Sequence, residues 1–220
     1  MTMRPGLRRF TFTTHITSSI GWFGAVIVFL ALAIVGLTSK DEVMVRGAYL
    51  VMAPAAWFVL VPLAHASLLS GIALSLGTTW GLFRHYWVLL KLLITVFSTG
   101  ILLIYMGTFR QMAGVAADPT AGLGLVRNPS PMVHAILALA LLVVATVLAI
   151  YKPLGMTAYG IRKQLEQRQA LTPAAVLNQA GAAGVAMTTP RSLSVFGIVA
   201  LAAVLLFIIL HLIGGGLAYH

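Results

Sequence analysis

The sequence predicts an all-α transmembrane protein, an antiparallel four-helix bundle with one peripheral C-terminal helix. Hydrophobic residues make up 60 % of the 220 positions and charged residues only 8 %, against about 25 % charged residues in soluble domains. The hydrophobic residues form five long stretches, and most of the basic residues lie beside them. A water-soluble fold is therefore excluded. The net charge of +10 indicates a lipid bilayer, and not nucleic acid, as the partner.

Four of the apolar stretches lie in the first two thirds of the chain. A helix needs about 20 mainly apolar residues to cross a hydrocarbon core about 30 Å thick. The stretches at 14–37, 48–76, 85–109 and 131–151 reach this length and predict spans one to four. Short loops join them, which favours antiparallel neighbours in one bundle.

The fifth stretch, residues 194–214, predicts one further span that a long connection separates from the others. We therefore divide the chain into a four-helix bundle over 1–152, a cytoplasmic linker over 153–192, and a fifth transmembrane helix with an external C-terminus over 193–220. The first part of the linker, 161–168, predicts a short helix in which Arg162 and Glu166 pair at i,i+4.

The basic residues beside the spans predict the orientation of the chain. Lysine and arginine are enriched on the cytoplasmic side of membrane proteins. Nine flanking basic residues fall on the side of the N-terminus and four on the opposite side. The N-terminus is therefore predicted to be cytoplasmic and the C-terminus external.

Polar side chains recur along one face of the first span and one face of the third. In the first span His15, Ser18, Ser19 and Trp22 follow the i, i+3, i+4, i+7 spacing of a helix face. The corresponding face of the third span consists of Arg84, Trp87, Lys91, Thr95 and Ser98. Because polar groups in hydrocarbon are costly, both faces are predicted to point into the bundle.

The second span carries a histidine and a row of small residues. His65 follows Pro62, which removes one helical hydrogen bond and frees the carbonyl of Phe58, so a kink is expected beside the histidine. Ser67, Gly71 and Ser75 form a small-residue seam that permits close helix contact.

The chemistry of these residues points to haem. No acidic residue lies inside a span, so a carboxylate proton relay is missing, whereas histidine within a four-helix bundle is a common haem site. His15 and His65 are the candidate ligands of the haem iron, although His65 lies about 9 Å deeper by the helical rise. Each residue also has a simpler interpretation. His15 lies at the headgroups, Lys91 extends to the interface, and His65 is a structural histidine held by a hydrogen bond.

Two local patterns carry a family resemblance. The first is His15-x6-Trp22-Phe-Gly, and the second is Gly77-Thr-Thr-Trp-Gly followed by Trp87-Val-Leu-Leu-Lys91. Together they resemble the membrane superfamily of the copper-resistance D proteins and the bacterial haem-binding protoporphyrinogen oxidases. The whole chain looks most like an uncharacterised family of bacterial integral membrane proteins in that neighbourhood. The resemblance implies the bacterial inner membrane, and implies that His15 and Lys91 lie beside a tetrapyrrole.

The leading hypothesis is accordingly a membrane protein with a redox role that binds haem b or another tetrapyrrole. The cofactor-binding candidates are His15, His65, Lys91, Arg84 and Trp22, with Lys91 and Arg84 neutralising propionates or an anionic substrate. One alternative is a cofactor-free accessory or structural protein that meets a second copy or a partner subunit through the seam. Another is a transporter of a small solute or metal ion.

Overall fold

The computed structural model describes residues 3–78, 81–152 and 155–171, and helices account for nearly all of them. In chain order they are α1 (Pro5–Thr38), α2 (Glu42–Ala55), a π-helical turn (Ala56–Leu60), α3 (Val61–Gly77), α4 (Tyr86–Ala117), a 3-10 turn (Leu123–Leu125), α5 (Ser130–Tyr151) and α6 (Ala158–Leu171). The described residues contain no β-strand, and a single bridge pairs His85 with Met156.

Within the described part of the chain, four helical segments are long and apolar enough to cross a membrane: Pro5–Thr38, Glu42–Gly77, Tyr86–Ala117 and Leu123–Tyr151. They correspond to predicted spans one to four. The first is nine residues longer at its N-terminal end than predicted, since helix α1 begins at Pro5 and not at residue 14. At about 1.5 Å per residue, its 34 residues exceed the hydrocarbon thickness. The predicted fifth span, and the linker from residue 172 onward, lie outside the described residues.

The second span contains two prolines and an irregular turn. Pro54 lies inside α2, and Pro62 is the second residue of α3, just after the π-helical turn. In that turn the backbone N–H of Val61 donates to the carbonyl of Ala56, one residue further back than in an α-helix. The break that Pro62 predicts is therefore spread over Ala56–Leu60, before His65 rather than beside it.

Helix α1 packs along α3, and its residues approach α3 in reverse order. The N–H of Met3 donates to the carbonyl of Gly77 at 3.1 Å. A Cβ added at Gly21 would lie 3.2 Å from Leu63. Further along, the core continues between α1 and α4, where the rings of Phe29 and Phe109 meet edge to face at 5.5 Å. This packing buries one face of α1 and places its polar residues against α3 and α4.

Arginines close the end of the molecule that holds the α1–α2 and α4–α5 loops. Arg46 forms an ion pair with Glu42 at 2.7 Å and donates to the carbonyls of Asp118 and Ala121, each at 2.8 Å. Arg127 donates to the carbonyl of Ser39 at 2.6 Å. The carboxyl group of Asp118 accepts hydrogen bonds from Thr120, which lower the pKa of Asp118. The two loops are thereby tied to each other.

Helix α6 is attached to the loop between α3 and α4 at the opposite end. Thr157 donates through its N–H to the carbonyl of Arg84 at 3.0 Å and through its hydroxyl to the carbonyl of Phe83 at 2.6 Å. Gly160 packs directly on the Arg84 carbonyl, where a Cβ has no room. The contact depends on Thr157 for its hydrogen bonds and on Gly160 for its close approach, because a larger side chain at 160 would push α6 away from the loop.

The ion pair on α6 differs from the predicted one in its basic partner. Glu166 pairs with Lys163 at i,i+3, with Nζ and Oε2 2.8 Å apart, and not with Arg162. Residues three and four apart share a helix face, so both partners were within reach. The Lys163 ammonium lowers the pKa of Glu166, and the carboxylate raises the pKa of Lys163.

Candidate functional site

The structure brings His15 of α1 and Lys91 of α4 together beside three serines. Nε2 of His15 lies 3.4 Å from Nζ of Lys91. On the other side of the ring, Nδ1 lies 3.0 Å from the Ser67 carbonyl oxygen and 3.2 Å from the Ser70 hydroxyl. We call His15, Ser19, Ser67, Ser70 and Lys91 the His15–Lys91 cluster. It joins three spans through polar side chains, at the end of the molecule where α6 is attached.

Gly71 makes room for the imidazole. A Cβ added at this position would lie 3.1 Å from Cε1 and 3.4 Å from Nδ1 of His15. That distance is shorter than ordinary contact between carbon atoms, about 3.5–4.0 Å. The ring therefore lies over a position that carries no side chain, and this close approach allows Nδ1 to reach the backbone of α3.

The partners of His15 fix which ring nitrogen carries the proton. A carbonyl oxygen only accepts hydrogen bonds, so Nδ1 donates to Ser67. A lysine ammonium only donates, so Nε2 of His15 accepts from Lys91. The contacts therefore select the neutral imidazole with its proton on Nδ1, and they orient the ring between α3 and α4.

The serines of the cluster tie α1 to α3. The hydroxyls of Ser19 and Ser67 are 2.8 Å apart, and Ser70 also donates to the Ala66 carbonyl of its own helix. Ser67 and Gly71, two members of the small-residue seam, thus face α1 of the same chain. The third member, Ser75, donates to the carbonyl of Gly71 at 2.8 Å. In this part of the chain the seam is used for internal packing, which leaves less of it for a partner subunit.

Lys91 lies inside a span without a carboxylate partner among the described residues. Two ion pairs are formed there, Arg46–Glu42 at the start of α2 and Lys163–Glu166 within α6, and neither involves Lys91. Lys91 begins the second turn of α4, five residues after Tyr86, or about 7.5 Å along the axis. An ammonium group has three donors, and one of them meets His15. The others are available for an acidic group from outside the protein.

His65 does not join this cluster. Its Nδ1 lies 2.8 Å from the carbonyl of Val61 in its own helix. It precedes Ser70 and Gly71, the α3 residues at the imidazole of His15, by five and six positions. This separation is about 8–9 Å along the axis, and a rotation of 100° per residue points His65 away from their face.

The two histidines as packed do not fit an iron-ligating pair for haem. Both ring nitrogens of His15 have partners, the ring is packed on Gly71, and His65 lies at another depth and on another face. Among the described residues, no group of three or more histidine and acidic side chains could hold a metal ion. The coordination of haem iron by His15 and His65 has no geometric support and stays a prediction for spectroscopy.

The two remaining predicted residues lie elsewhere. Arg84 reaches α6, where its Nη2 lies 3.1 Å from Oε1 of Gln167. Trp22 is buried with 3 % of its surface exposed and lines an apolar cavity between α1, α4 and α5. Trp22 lies seven residues along α1 from His15, about 10 Å by the helical rise. The five predicted residues therefore occupy four places, and only His15 and Lys91 meet.

One polar group near the other end of the spans was missed by sequence reasoning. Tyr105 donates to the Ser130 hydroxyl at 2.8 Å, and Nδ1 of His134 lies 2.8 Å from the Ser130 carbonyl. The rings of Tyr105 and His134 are 4.3 Å apart between centroids. The i,i+4 spacing of Ser130 and His134 was the available signal.

Comparison of the chain with protein-family models, curated proteins and solved structures found no match. The resemblance to the copper-resistance D and protoporphyrinogen oxidase neighbourhood therefore stays a prediction. The functional interpretation therefore rests on the geometry of the His15–Lys91 cluster.

Proposed function

We propose that this chain is a polytopic integral membrane protein that binds the acidic group of an amphipathic ligand at the His15–Lys91 cluster. The acidic group is a carboxylate or a phosphate, and the rest of the ligand lies among the spans or in the lipid. One observation carries the proposal: the Lys91 ammonium lies inside a span against a neutral imidazole, while no described carboxylate pairs with it.

An anionic ligand would remove an energetic penalty. A lysine at the centre of a membrane helix costs about 2.5–3.5 kcal/mol on insertion scales, less when it lies near an end. His15 supplies one acceptor but no negative charge. A carboxylate or phosphate would form a charge-assisted hydrogen bond with Lys91, which contributes about 1.5–3 kcal/mol. Because no described carboxylate balances the charge of Lys91, the site favours an acidic ligand.

The bundle orientation that we propose places this site near the cytoplasmic leaflet. The helices are taken to run antiparallel across the bacterial inner membrane with the N-terminus inside. At the cluster end, the described chain carries one acid, Glu166, and eight basic residues: Arg4, Arg8, Arg9, Arg84, Lys152, Arg162, Lys163 and Arg168. The opposite end has four basic and three acidic residues: Lys40, Arg46, Arg110, Arg127, Asp41, Glu42 and Asp118. This imbalance follows the positive-inside pattern.

The family resemblance adds one candidate ligand. A tetrapyrrole carries carboxylates on an apolar ring, so its charge and solubility suit the site. In this proposal the carboxylate meets Lys91, and iron coordination plays no part. A fatty acid or an anionic phospholipid shares the same chemistry.

Paired acids and esters test the proposal with the purified protein in lipid nanodiscs. Protoporphyrin IX and palmitate are titrated beside their methyl esters, which retain the apolar part and lose the charge. We expect at least one acid to bind about tenfold or more tightly than its ester. Lys91→Met should remove this preference and Lys91→Arg should retain part of it, while Lys163→Met serves as a matched lysine control on α6.

The result that would overturn the proposal is equally specific. Equal binding of acid and ester, or an acid preference that survives Lys91→Met, means that the cluster is not an anion site. Phosphatidic acid against diacylglycerol, which keeps the acyl chains and lacks the phosphate, supplies the phosphate arm of the test. If no acid in either arm binds through Lys91, the cluster is a structural polar contact, as in the accessory alternative.

A further inference from the structure

The apolar cavity that Trp22 lines is apart from the His15–Lys91 cluster and deeper in the spans. It has a volume of about 70 Å³ and is partly open to the outside of the helices. Its walls come from α1, α4, α5 and the π-helical turn, and they include four aromatic side chains: Trp22, Phe29, Tyr105 and Phe109. Trp22 and Ser98, which also lines it, lie near the middle of α1 and α4. The cavity is therefore reached from the hydrocarbon and not from water.

Ser98 differs from the other hydroxyl residues of its helix. Thr95 and Thr99 each donate to the carbonyl four residues earlier, at 2.8 Å. This back-bonding is the usual arrangement for such residues inside a helix. The hydroxyl of Ser98 forms no hydrogen bond in the described structure, although the residue is only 7 % exposed. A buried polar group without a partner is destabilising by about 1–3 kcal/mol, and this one borders a cavity.

Trp22 also lines this cavity. Its side chain is 3 % exposed, and its indole N–H makes no hydrogen bond to another described residue. An indole nitrogen only donates, whereas a serine hydroxyl donates or accepts. Ser98 is a buried hydroxyl without a partner on a wall that is mostly apolar, and it matches a ligand with one acceptor oxygen. A water molecule fits less well, since it normally needs two to four polar partners.

We propose that this cavity binds the oxygen-bearing end of a narrow, lipid-soluble aliphatic molecule, whose carbonyl or hydroxyl oxygen accepts from Ser98. The volume sets the width of the ligand. An apolar cavity that holds benzene measures about 150 Å³, roughly twice the present one, so a whole ring does not fit. The terminal carbonyl group and methyl group of a chain do fit, and the remaining chain lies between α1, α4 and α5 or in the bilayer. The site is independent of the His15–Lys91 cluster because it requires no charge.

The test uses the fluorescence of Trp22. The chain has four tryptophans, and the variant Trp57→Phe/Trp80→Phe/Trp87→Phe leaves Trp22 as the sole reporter. This protein, in nanodiscs, is titrated with 2-tridecanone, and tridecane is the matched probe without oxygen. We expect a saturable change in the Trp22 emission with the ketone and a weaker or absent response to the alkane.

Three further variants decide whether the response comes from this site. Ser98→Ala removes the hydroxyl without adding volume and should raise the Kd of the ketone about threefold to tenfold. Ala138→Leu fills the cavity and should abolish the saturable response, with circular dichroism showing that the helices are retained. Thr95→Ala, which removes a hydroxyl with an internal partner, should leave the Kd unchanged. Equal responses to ketone and alkane, or a Kd that Ser98→Ala does not change, would overturn the proposal.

Discussion

Nζ of Lys91 on α4 lies 3.4 Å from Nε2 of His15 on α1, although 76 residues separate them in the chain. The contact places a cationic group against an imidazole inside the spans, and hydrogen bonds to Ser67 and Ser70 hold the imidazole from the other side.

Replacing Lys91 with methionine should increase the stability of the protein without ligand. The substitution removes a charge that no described carboxylate balances and keeps a chain of similar length. We expect a rise of about 1–2 kcal/mol in the free energy of unfolding in detergent, within the range of polar burial costs. Lys163→Met on α6 should change the stability by less than about 0.5 kcal/mol, because exposed ion pairs contribute little. A marked loss of stability in Lys91→Met would contradict the interpretation that the charge of Lys91 is unbalanced.

Gly71→Ala should destabilise the packing of α1 on α3. Its Cβ would lie 3.1 Å from Cε1 of His15, so the ring or the helix must shift. Gly107→Ala on α4 is the matched control, because a Cβ there meets nothing within 4 Å and alanine favours a helix by about 1 kcal/mol. We expect thermal unfolding at a lower temperature for Gly71→Ala and at an equal or higher temperature for Gly107→Ala. The second substitution His15→Ala should restore much of the loss. Failure of that rescue would place the clash elsewhere.

Gly160→Ala should release α6 from the α3–α4 loop. A Cβ at this position collides with the backbone carbonyl of Arg84, which cannot move aside as a flexible side chain would. Hydrogen–deuterium exchange is expected to rise in α6 and in residues 83–86, with little change in α5. Gly114→Ala, at a position with open space, should leave the exchange pattern intact. Unchanged protection of α6 in Gly160→Ala would mean that this contact is not what holds it.

The absorption spectrum addresses the haem prediction directly. Because His15 and His65 lie on different faces and at different depths, we expect no bis-imidazole haem spectrum from protein purified out of haem-supplemented cells. The measurement compares the oxidised protein with the dithionite-reduced protein. A Soret band that disappears in both His15→Ala and His65→Ala would show that the helices rearrange around haem, contrary to the packing described above.

The four described spans could be predicted from the sequence because length and hydropathy alone define them. The inward direction of Ser19 and Trp22 also follows from sequence, since polar and amphipathic residues at helical spacing avoid lipid. The position of His65 does not follow. Its direction depends on the rotation of α3 against α1, and the π-helical turn at Ala56–Leu60 changes that rotation by one residue. The residue numbers indicate that His65 lies deeper in the spans than His15. They do not indicate that the two histidines lie on different faces.

The cavity and the arginine contacts depend on still longer-range packing. The sequence predicts that Ser98 shares a helix face with Lys91, but the lack of a hydrogen bond from its hydroxyl to its own helix is decided by the packing of α1 and α5 around it. Arg46 and Arg127 read in the sequence as ordinary charges beside spans. Their bonds to loop carbonyls arise only when the ends of α1, α2 and α4 are brought together.

A disulfide between α1 and α3 tests most directly whether these two helices face each other through the polar cluster. The chain contains no cysteine, so any disulfide in the double variant Ser19→Cys/Ser67→Cys joins the two introduced thiols. The native hydroxyls are 2.8 Å apart, and we expect rapid, complete intramolecular crosslinking under mild oxidation in membranes. Ser19→Cys/Ser75→Cys, about two helical turns away on α3, is the control and should crosslink little. Failure of the first pair to crosslink, or equal crosslinking of both pairs, would contradict the inward polar cluster on which the proposed function rests.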